Sequence, residues 1–241
     1  MSLSNFVAKL VGKKPGYCTA ILVAAGSSSR MEGQDKLLAS LGGMTVLERS
    51  AAALDQNELI SEIIVVTREE LIEQVGLLLH ARGIKKLTQV VAGGATRTES
   101  VQAGLACMPG KTVLVAVHDA ARPLVSQRII TETIRKASST RAATPAIPLK
   151  DTVKEVNQNV VTQTLDRSKL LAVQTPQVFD SDMLRGALKK AQKDGIELTD
   201  DCSALEHMGM NVFLTNGEEE NLKITTPFDL RVAKMLVEEA K

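Results

Sequence analysis

The chain has 241 residues, 44% of them hydrophobic, which is enough to bury a sizeable core in one large α/β domain or two small ones. Its 29 basic and 28 acidic residues leave a formal charge of +1, and only 2% of the residues are aromatic. A chain with no global positive field and no base-stacking surface is not expected to bind nucleic acid or an anionic membrane, so any anion site must be local.

The cysteines and the apolar runs indicate the cellular compartment. Cys18, Cys107 and Cys202 are odd in number and far apart, which fits neither a disulfide framework nor paired metal ligands. No apolar run approaches the ~20 residues that a membrane helix needs. We therefore expect a soluble, cytoplasmic protein, with residues 1–16 as an N-terminal extension and residues 17–241 as a single domain.

Strand and helix patterns alternate through the first two thirds of the chain. Short β-branched runs predict buried strands over residues 19–25, 62–67, 87–92 and 112–117. Apolar residues at helical spacing predict helices over residues 45–55, 69–81, 98–108 and 126–137. This alternation is typical of a doubly wound α/β fold with a mostly parallel sheet.

The pattern changes after residue 137. Extended stretches over 142–156 and 160–165 are joined at Asn157-Gln158-Asn159, which predicts a hairpin and hence a projecting β-arm over about 142–168. Two strands alone are marginally stable, so we expect this arm to pack against a second copy of the chain in a homodimer.

The last third returns to helices and short strands. We predict helices over 181–193 and 200–208 and strands over 211–215 and 222–225. Thr226-Pro227 then begins the final helix, because Thr supplies a capping oxygen and Pro a preset first turn.

The loop after the first predicted strand combines small residues with two cations. Ala24-Ala25-Gly26 precedes three serines, and such a turn can expose backbone N–H groups to a phosphate at the edge of the sheet where α/β folds bind ligands. An ordinary strand-to-helix turn uses the same residues, and neither the dinucleotide fingerprint nor the P-loop is present. Arg30 and Lys36 could gather around a triphosphate, although a solvated surface position is the commoner fate of a lysine such as Lys36.

Two further loops carry polar residues at the same predicted edge. After the third strand, Gly93 and Gly94 permit close approach of the backbone to a base or sugar, and Ser100 points from the following helix. After the fourth strand, Asp119 could hold Mg²⁺ or a polar substrate, and Arg122 a phosphate or hydroxyl. An internal ion pair between Asp119 and Arg122 is the alternative.

Together these motifs resemble those of the methylerythritol phosphate cytidylyltransferases. The matching stretches leave only residues 1–18 outside and are specific in order and spacing. They are Ala24-Ala25-Gly26 with Arg30 and Lys36; Gly93-Gly94 with Arg97 and Ser100; the residues 117–123; the residues 151–154; Leu165-Asp166-Arg167; Thr175-Pro176-Gln177; Thr199-Asp200-Asp201; and the residues 221–225.

The resemblance implies a reaction, a fold and an assembly. The reaction is CMP transfer from CTP to 2-C-methyl-D-erythritol 4-phosphate in non-mevalonate isoprenoid synthesis, on a Rossmann-like fold, with Mg²⁺ as cofactor. The family is a homodimer in which an arm arginine, here Arg167, reaches into the partner's site. The acceptor phosphate is already ionised, so no general base is needed and His80, His118 and His207 are assigned no catalytic role.

The resemblance also implies roles for individual residues. The catalytic cations are Arg30, Lys36, Arg167 and Lys223. The CTP site is formed by Ala24, Ala25, Gly26, Gly93, Gly94, Arg97, Ser100 and Ala120. The acceptor site is formed by Asp119, Arg122, Thr152, Arg167, Thr175 and Lys223, with Asp119 also the candidate metal ligand.

The chain departs from the family pattern at three places. It has Ser28 where a second glycine is usual, Asp35-Lys36-Leu37 where Pro-Lys-Gln is usual, and Ala95 where an acidic residue is frequent. A carboxylate at Asp35 opposes triphosphate binding unless it points away from the phosphates.

Three alternative functions remain open on the sequence alone. A ribitol-5-phosphate cytidylyltransferase would share the fold and the CTP site, and a sugar-1-phosphate nucleotidyltransferase would share the fold but not the arm. A non-catalytic nucleotide sensor would need affinity for CTP but no cations directed at a leaving group, so the four catalytic cations favour an enzyme.

Overall fold

A single large sheet organises the residues that the computed structural model describes, which are 16–26 and 35–239. Its strands lie in the order β10-β7-β11-β6-β1-β4-β5, with β12 also paired to β7, and two further two-stranded sheets, β2-β3 and β8-β9, lie outside it. The strands are β1 (Cys18–Val23), β2 (Ser40–Leu41), β3 (Met44–Thr45), β4 (Glu62–Thr67), β5 (Leu87–Ala92), β6 (Leu114–Asp119), β7 (Ala142–Pro148), β8 (Lys154–Asn157), β9 (Val160–Thr164), β10 (Leu171–Val173), β11 (Gln177–Asp180) and β12 (Phe213–Asn216).

The half of the sheet that the sequence predicts is parallel, and its strands β1, β4 and β6 are buried on both faces, whereas β5 at the edge is half-buried or exposed. β1 pairs in parallel with β4 and β6, and β4 with β5. Alternate residues of β1 enter different cores, since Ala20 and Leu22 belong to one apolar cluster and Ile21 to the other. A sheet with an apolar core on each face confirms the predicted doubly wound α/β fold.

The other half of the sheet is mixed. β11 runs antiparallel between β6 and β7, and β10 is antiparallel to β7. β12 pairs with β7 in parallel. These short strands place the cis peptide Thr175-Pro176 between β10 and β11, next to the end of β6.

Helices cover the sheet at the predicted places. They are α1 (Val46–Asp55), α2 (Ile72–Ala81), α3 (Arg97–Ala106), α4 (Gln127–Thr140), α5 (Ser181–Lys193), α6 (Asp201–His207) and α7 (Pro227–Glu239). A capping box at Thr96 and Glu99 begins α3, so the loop before it is anchored at its last residue. At α7, Asp229 accepts from the Thr226 N–H at 2.7 Å and Thr226 accepts from the Asp229 N–H at 3.3 Å, which confirms the predicted start.

Several predicted strands need correction. The first ends at Val23 instead of at residue 25, and the one predicted over 211–215 is Phe213–Asn216. The fourth extends from Leu114 to Asp119 instead of over 112–117, because the parallel register continues to the Val23–Asp119 pair. Residues 222–225 do not form a strand. The Ile224 N–H donates to the Ala121 carbonyl at 2.8 Å, so this segment follows the loop after β6 instead of joining the sheet.

The predicted hairpin is present but shorter than the arm expected over 142–168. β8 and β9 pair with each other around Gln158 and Asn159, both at positive φ, as a two-residue hairpin turn requires. Residues 142–148 form β7 within the main sheet instead, because Ala142 and Ala143 are fully buried there. No helix in the described ranges is long and apolar enough to cross a membrane.

Candidate active site

A cavity of about 350 Å³ opens at the carboxyl edge of the parallel strands. Its walls come from the loops that follow β1, β5 and β6, together with the segment before α7. The lining residues are Val23, Ala25, Gly26, Lys36, Leu37, Gly94, Ala95, Thr96, Arg97, Ser100, Asp119, Ala121 and Lys223. Three loops separated in sequence therefore meet at one place, as the topology of an open α/β sheet dictates.

Lys36 reaches this cavity from a turn that Asp35 stabilises. The Asp35 carboxylate accepts from the Leu37 N–H at 2.9 Å and forms an ion pair with Arg68, which follows β4. The carboxylate expected to oppose a triphosphate is thus neutralised by a neighbouring guanidinium. Ser28 and the predicted catalytic Arg30 lie outside the described residues.

The paired glycines bring the loop after β5 against its neighbours. A Cβ on Gly93 would lie 2.6 Å from both the Ala25 Cβ and the Ser100 Oγ, so the loops after β1 and β5 touch only because Gly93 has no side chain. The Gly94 N–H donates to the Ser100 Oγ at 3.2 Å. Ser100 therefore holds the loop, and Gly94 rather than Gly93 faces the cavity.

A buried charge cluster forms the floor of the cavity. Asp119 lies 2.7 Å from the Lys223 Nζ and 3.3 Å from the Arg97 Nε, and Arg97 also pairs with Asp201 at 2.8 Å. Burial opposes the charge on Asp119, but the cations of Arg97 and Lys223 outweigh it and hold the pKa of this carboxyl well below its ordinary value. Burial also opposes the charge on Arg97, and the carboxylates of Asp201 and Asp119 outweigh it and raise the pKa of Arg97.

Lys223 is positioned by the segment 222–225, which was predicted as a strand. Ile224 is fully buried and its N–H is held by the Ala121 carbonyl, whereas Lys223 keeps 40% of its side chain exposed. The segment therefore directs an ammonium group to the cavity edge beside Asp119.

Arg122 and Thr175 lie behind Asp119 and outside the set of lining residues in the described ranges. Arg122 donates to the Asn221 carbonyl at 2.6 Å, so the alternative of an Asp119–Arg122 ion pair is replaced by pairing of Asp119 with Arg97 and Lys223. The Asp119 N–H donates to the Thr175 Oγ1 at 3.1 Å. Both residues thus contact the floor of the cavity from beneath.

The hairpin residues of the predicted site lie apart from the cavity. Thr152 and Arg167 are exposed at the base of the β8–β9 hairpin, where Arg167 donates to the Lys150 carbonyl. Ala24 and Ala120 are buried within the loop backbone, with the Ala24 N–H held by Val66 and the Ala120 N–H held by Val23. Their part in the site is to fix where the loops after β1 and β6 begin.

Comparison with known proteins gives the family. The model of the 2-C-methyl-D-erythritol 4-phosphate cytidylyltransferase family matches residues 18–239. The chain belongs to this family. It is 42% identical to the enzyme of that name from Desulforamulus reducens, covering 91% of this chain and 95% of the relative, and 38% identical to the one from Halalkalibacterium halodurans, covering 92% and 97%.

Solved structures of cytidylyltransferases also share the fold. The 4-diphosphocytidyl-2C-methyl-D-erythritol synthase of Anaerococcus prevotii superposes with a TM-score of 0.84 at 28% identity, covering 95% of this chain and 99% of that one. The 2-C-methyl-D-erythritol 4-phosphate cytidylyltransferase of Thermus thermophilus gives a TM-score of 0.75 at 31% identity, covering 90% and 98%. The resemblance drawn from the sequence is confirmed.

Two residues of this cytidylyltransferase site were not predicted to act there. Asp201 stands in the Thr199-Asp200-Asp201 motif, but nothing in the sequence shows that it meets Arg97. Arg68 directly follows the second predicted strand. The other loops of the site also directly follow predicted strands, so this position could have indicated that Arg68 lies near the site. Both bind charged residues that line or support the cavity.

The donor set determines how a divalent cation fits. Within the described ranges, no group of three or more His, Cys, Asp or Glu side chains is arranged to hold a metal. Among the described residues, Asp119 is the one carboxylate that lines the cavity, and both of its oxygens face cations. Mg²⁺ usually retains waters and binds one or two carboxylates plus substrate phosphates. The described residues therefore offer a magnesium ion one candidate ligand, Asp119, and its other ligands would have to come from water or substrate phosphates.

Proposed function

We propose that this chain transfers CMP from CTP to 2-C-methyl-D-erythritol 4-phosphate, giving CDP-methylerythritol and pyrophosphate. An oxygen of the acceptor phosphate forms a bond to the α-phosphorus of CTP. The bond from that phosphorus to the bridging oxygen breaks, and pyrophosphate leaves with the electron pair. Family membership over residues 18–239 carries this proposal.

The charges at the cavity suit a reaction between two anions. The acceptor phosphate is ionised at neutral pH, so the chain needs to position it and to counter negative charge instead of removing a proton. Lys36 and Lys223 line the same cavity, and Arg30 stands six residues before Lys36 in the sequence. We assign these three cations, with Arg167, to charge stabilisation in the transition state.

The nucleotide is assigned to the loops after β1 and β5. We propose that CTP binds against the residues named from the sequence: Ala24, Ala25, Gly26, Gly93, Gly94, Arg97, Ser100 and Ala120. Ala25, Gly26, Gly94, Arg97 and Ser100 line the cavity, which supports direct contact, whereas Ala24, Gly93 and Ala120 fix the loops from behind. Mg²⁺ on the triphosphate neutralises phosphate charge when bound, and Asp119 would hold it.

The acceptor is assigned to the floor of the cavity and to a second subunit. Asp119 and Lys223 line the cavity at the end of β6 and would face the sugar phosphate. Arg122 and Thr175 contact Asp119 from beneath and would reach an acceptor that enters beside it. Thr152 and Arg167 lie on the hairpin, whose Val156, Val160 and Val161 are 61%, 66% and 56% exposed. Three exposed valines on two strands favour burial against a partner. We propose a homodimer in which this arm delivers Arg167 and Thr152 to the partner's cavity.

The chain is further proposed to act as one domain over 17–241, with 1–16 as an extension, in the cytoplasm. Its three cysteines are free, and Cys18 and Cys202 are buried, which suits a reducing compartment.

The test is a grid of substrates read by pyrophosphate release. CTP, UTP, ATP and GTP are each combined with 2-C-methyl-D-erythritol 4-phosphate or ribitol 5-phosphate, with Mg²⁺ present. We expect release with CTP and the methylerythritol compound. Faster turnover of ribitol 5-phosphate would assign the chain to the alternative acceptor, and CTP binding without release would assign it to the sensor class.

A further inference from the structure

His118 is a fully buried titratable residue that the proposed reaction does not use. We infer that His118 is a positioning residue that fixes the direction of the Thr175 hydroxyl, so that Thr175 offers the acceptor only a lone pair. The inference rests on the proposed function for the identity of the acceptor. The direction of the hydroxyl rests on the hydrogen bonds alone.

The two partners of the imidazole determine which nitrogen carries its proton. The Nε2 lies 3.2 Å from the Arg122 carbonyl oxygen, and the Nδ1 lies 2.9 Å from the Thr175 Oγ1. A carbonyl oxygen only accepts, so the Nε2 must be the protonated nitrogen. In a neutral ring the Nδ1 is then an acceptor, and the Thr175 hydroxyl must donate to it.

Burial keeps the ring neutral. The ring is fully buried, and its two hydrogen-bond partners are a carbonyl and a hydroxyl, neither of which carries a charge that would stabilise an imidazolium. The ring is thus one donor and one acceptor.

The proton and one lone pair of the Thr175 hydroxyl can then be assigned to partners. Its single proton goes to His118, and one of its two lone pairs accepts from the Asp119 N–H at 3.1 Å. One lone pair remains. Thr175 is 4% exposed and lies beneath Asp119, outside the described residues that line the cavity, so a group can use this lone pair only if it enters beside Asp119.

This arrangement selects the chemistry of the group that can bind. A hydroxyl of a polyol phosphate can donate to the remaining lone pair. A carbonyl or ether oxygen at the same place cannot, and it would leave a buried acceptor facing another acceptor. His118 thus tunes acceptor recognition through Thr175 without touching the substrate.

Two substitutions separate the two contacts of the ring. His118→Asn keeps an amide oxygen near the Nδ1 position, where it can accept from Thr175. His118→Gln places its amide near the Nε2 position, where it can donate to the Arg122 carbonyl but leaves Thr175 without its acceptor. We expect the KM for the acceptor to rise about tenfold in His118→Gln, the loss of one hydrogen bond, and about twofold at most in His118→Asn.

The KM for CTP distinguishes a positioning role of His118 from a general structural role. It should stay within about twofold of wild type in both variants, and both should keep a cooperative unfolding transition. In a Thr175→Val background, His118→Gln should add no further rise in the acceptor KM, because the residue it acts through is already gone. Equal rises in the CTP and acceptor KM, or additive effects in the double variant, would overturn the inference.

A spectroscopic measurement on the wild-type protein needs neither variants nor acceptor. In ¹⁵N-labelled protein at pH 8, His118 should show a protonated Nε2 and an unprotonated Nδ1. A protonated Nδ1 would overturn the inference even if the substrate grid succeeds. The expected tautomer in a chain that fails to turn over 2-C-methyl-D-erythritol 4-phosphate would refute the proposed function and leave the hydroxyl direction standing.

Discussion

Acid should destabilise this protein partly through His118. The ring is buried with a pKa of about 4, against an ordinary value of 6.5, and the charged groups that face it are Asp119, Arg122 and Lys223. Between these two pKa values the unfolded chain binds a proton that the folded chain does not. Stability contributed by the neutral ring is therefore complete above pH 6.5 and is lost as the pH falls toward 4.

The size of this effect follows from the two pKa values. One pKa unit corresponds to about 1.4 kcal/mol, so the full loss is about 3 kcal/mol, and by pH 5 about 2 kcal/mol has gone relative to pH 8. Asp119 does not contribute in this window, because its pKa lies well below the ordinary value and it stays ionised. His118→Gln removes the titrating group and leaves the other ionisable residues in place.

Urea unfolding at pH 8, 6 and 5 measures the difference. Between pH 8 and pH 5, the unfolding free energy of the wild type should fall by about 2 kcal/mol more than that of His118→Gln, with unchanged slopes in urea. Parallel profiles for the two proteins would show that His118 is not held neutral by burial, and would refute the reasoning.

Three further predictions concern the charged residues. Lys36→Ala should lower kcat by about 10²–10³ with folding intact, because one cation opposite the leaving pyrophosphate is lost. Arg167→Ala should be inactive alone but regain activity when mixed with Lys36→Ala, because a hybrid dimer then contains one site with both residues. Asp201→Asn should lower the unfolding free energy by about 2 kcal/mol, since Arg97 loses one charged hydrogen-bond partner and keeps Asp119.

Each of these predictions has a control and an outcome that contradicts it. Lys189→Ala removes an exposed lysine of α5 and should leave kcat unchanged. Wild-type turnover in Lys36→Ala would remove Lys36 from catalysis, and mixed subunits that exchange without recovering activity would argue against a shared site. A wild-type urea midpoint for Asp201→Asn would show that the Arg97–Asp201 pair makes no net contribution.

The strands and helices that could be predicted are those that a local pattern of residues indicates. Residues 62–67 were predicted with the bounds that the structure has, because β4 is buried at every position and such strands are continuous β-branched runs. Residues 87–92 also keep their predicted bounds, although β5 lies at the edge of the sheet and its residues are half-buried or exposed. The antiparallel β10 and β11 were not predicted. They are three and four residues long, and a run of that length has no periodicity of its own.

The site, too, was only partly predictable from the sequence. Loops that follow parallel strands were predictable as ligand loops, because the carboxyl ends of such strands share one edge. The pairing of Asp119 with Arg97 and Lys223, instead of with nearby Arg122, was not, because it depends on where a late segment of the chain crosses the loop after β6. Residues 222–225 looked like a strand because Leu222 and Ile224 alternate with polar residues, yet that alternation serves to expose Lys223.

The account depends most on the convergence of Lys36 and Lys223 on the phosphates of CTP. The most direct measurement is a crystal structure of the chain with Mg²⁺ and a non-hydrolysable CTP analogue. We predict both ammonium groups within hydrogen-bond distance, about 3 Å, of phosphate oxygens. Phosphates bound elsewhere, with both lysines directed into solvent, would contradict it.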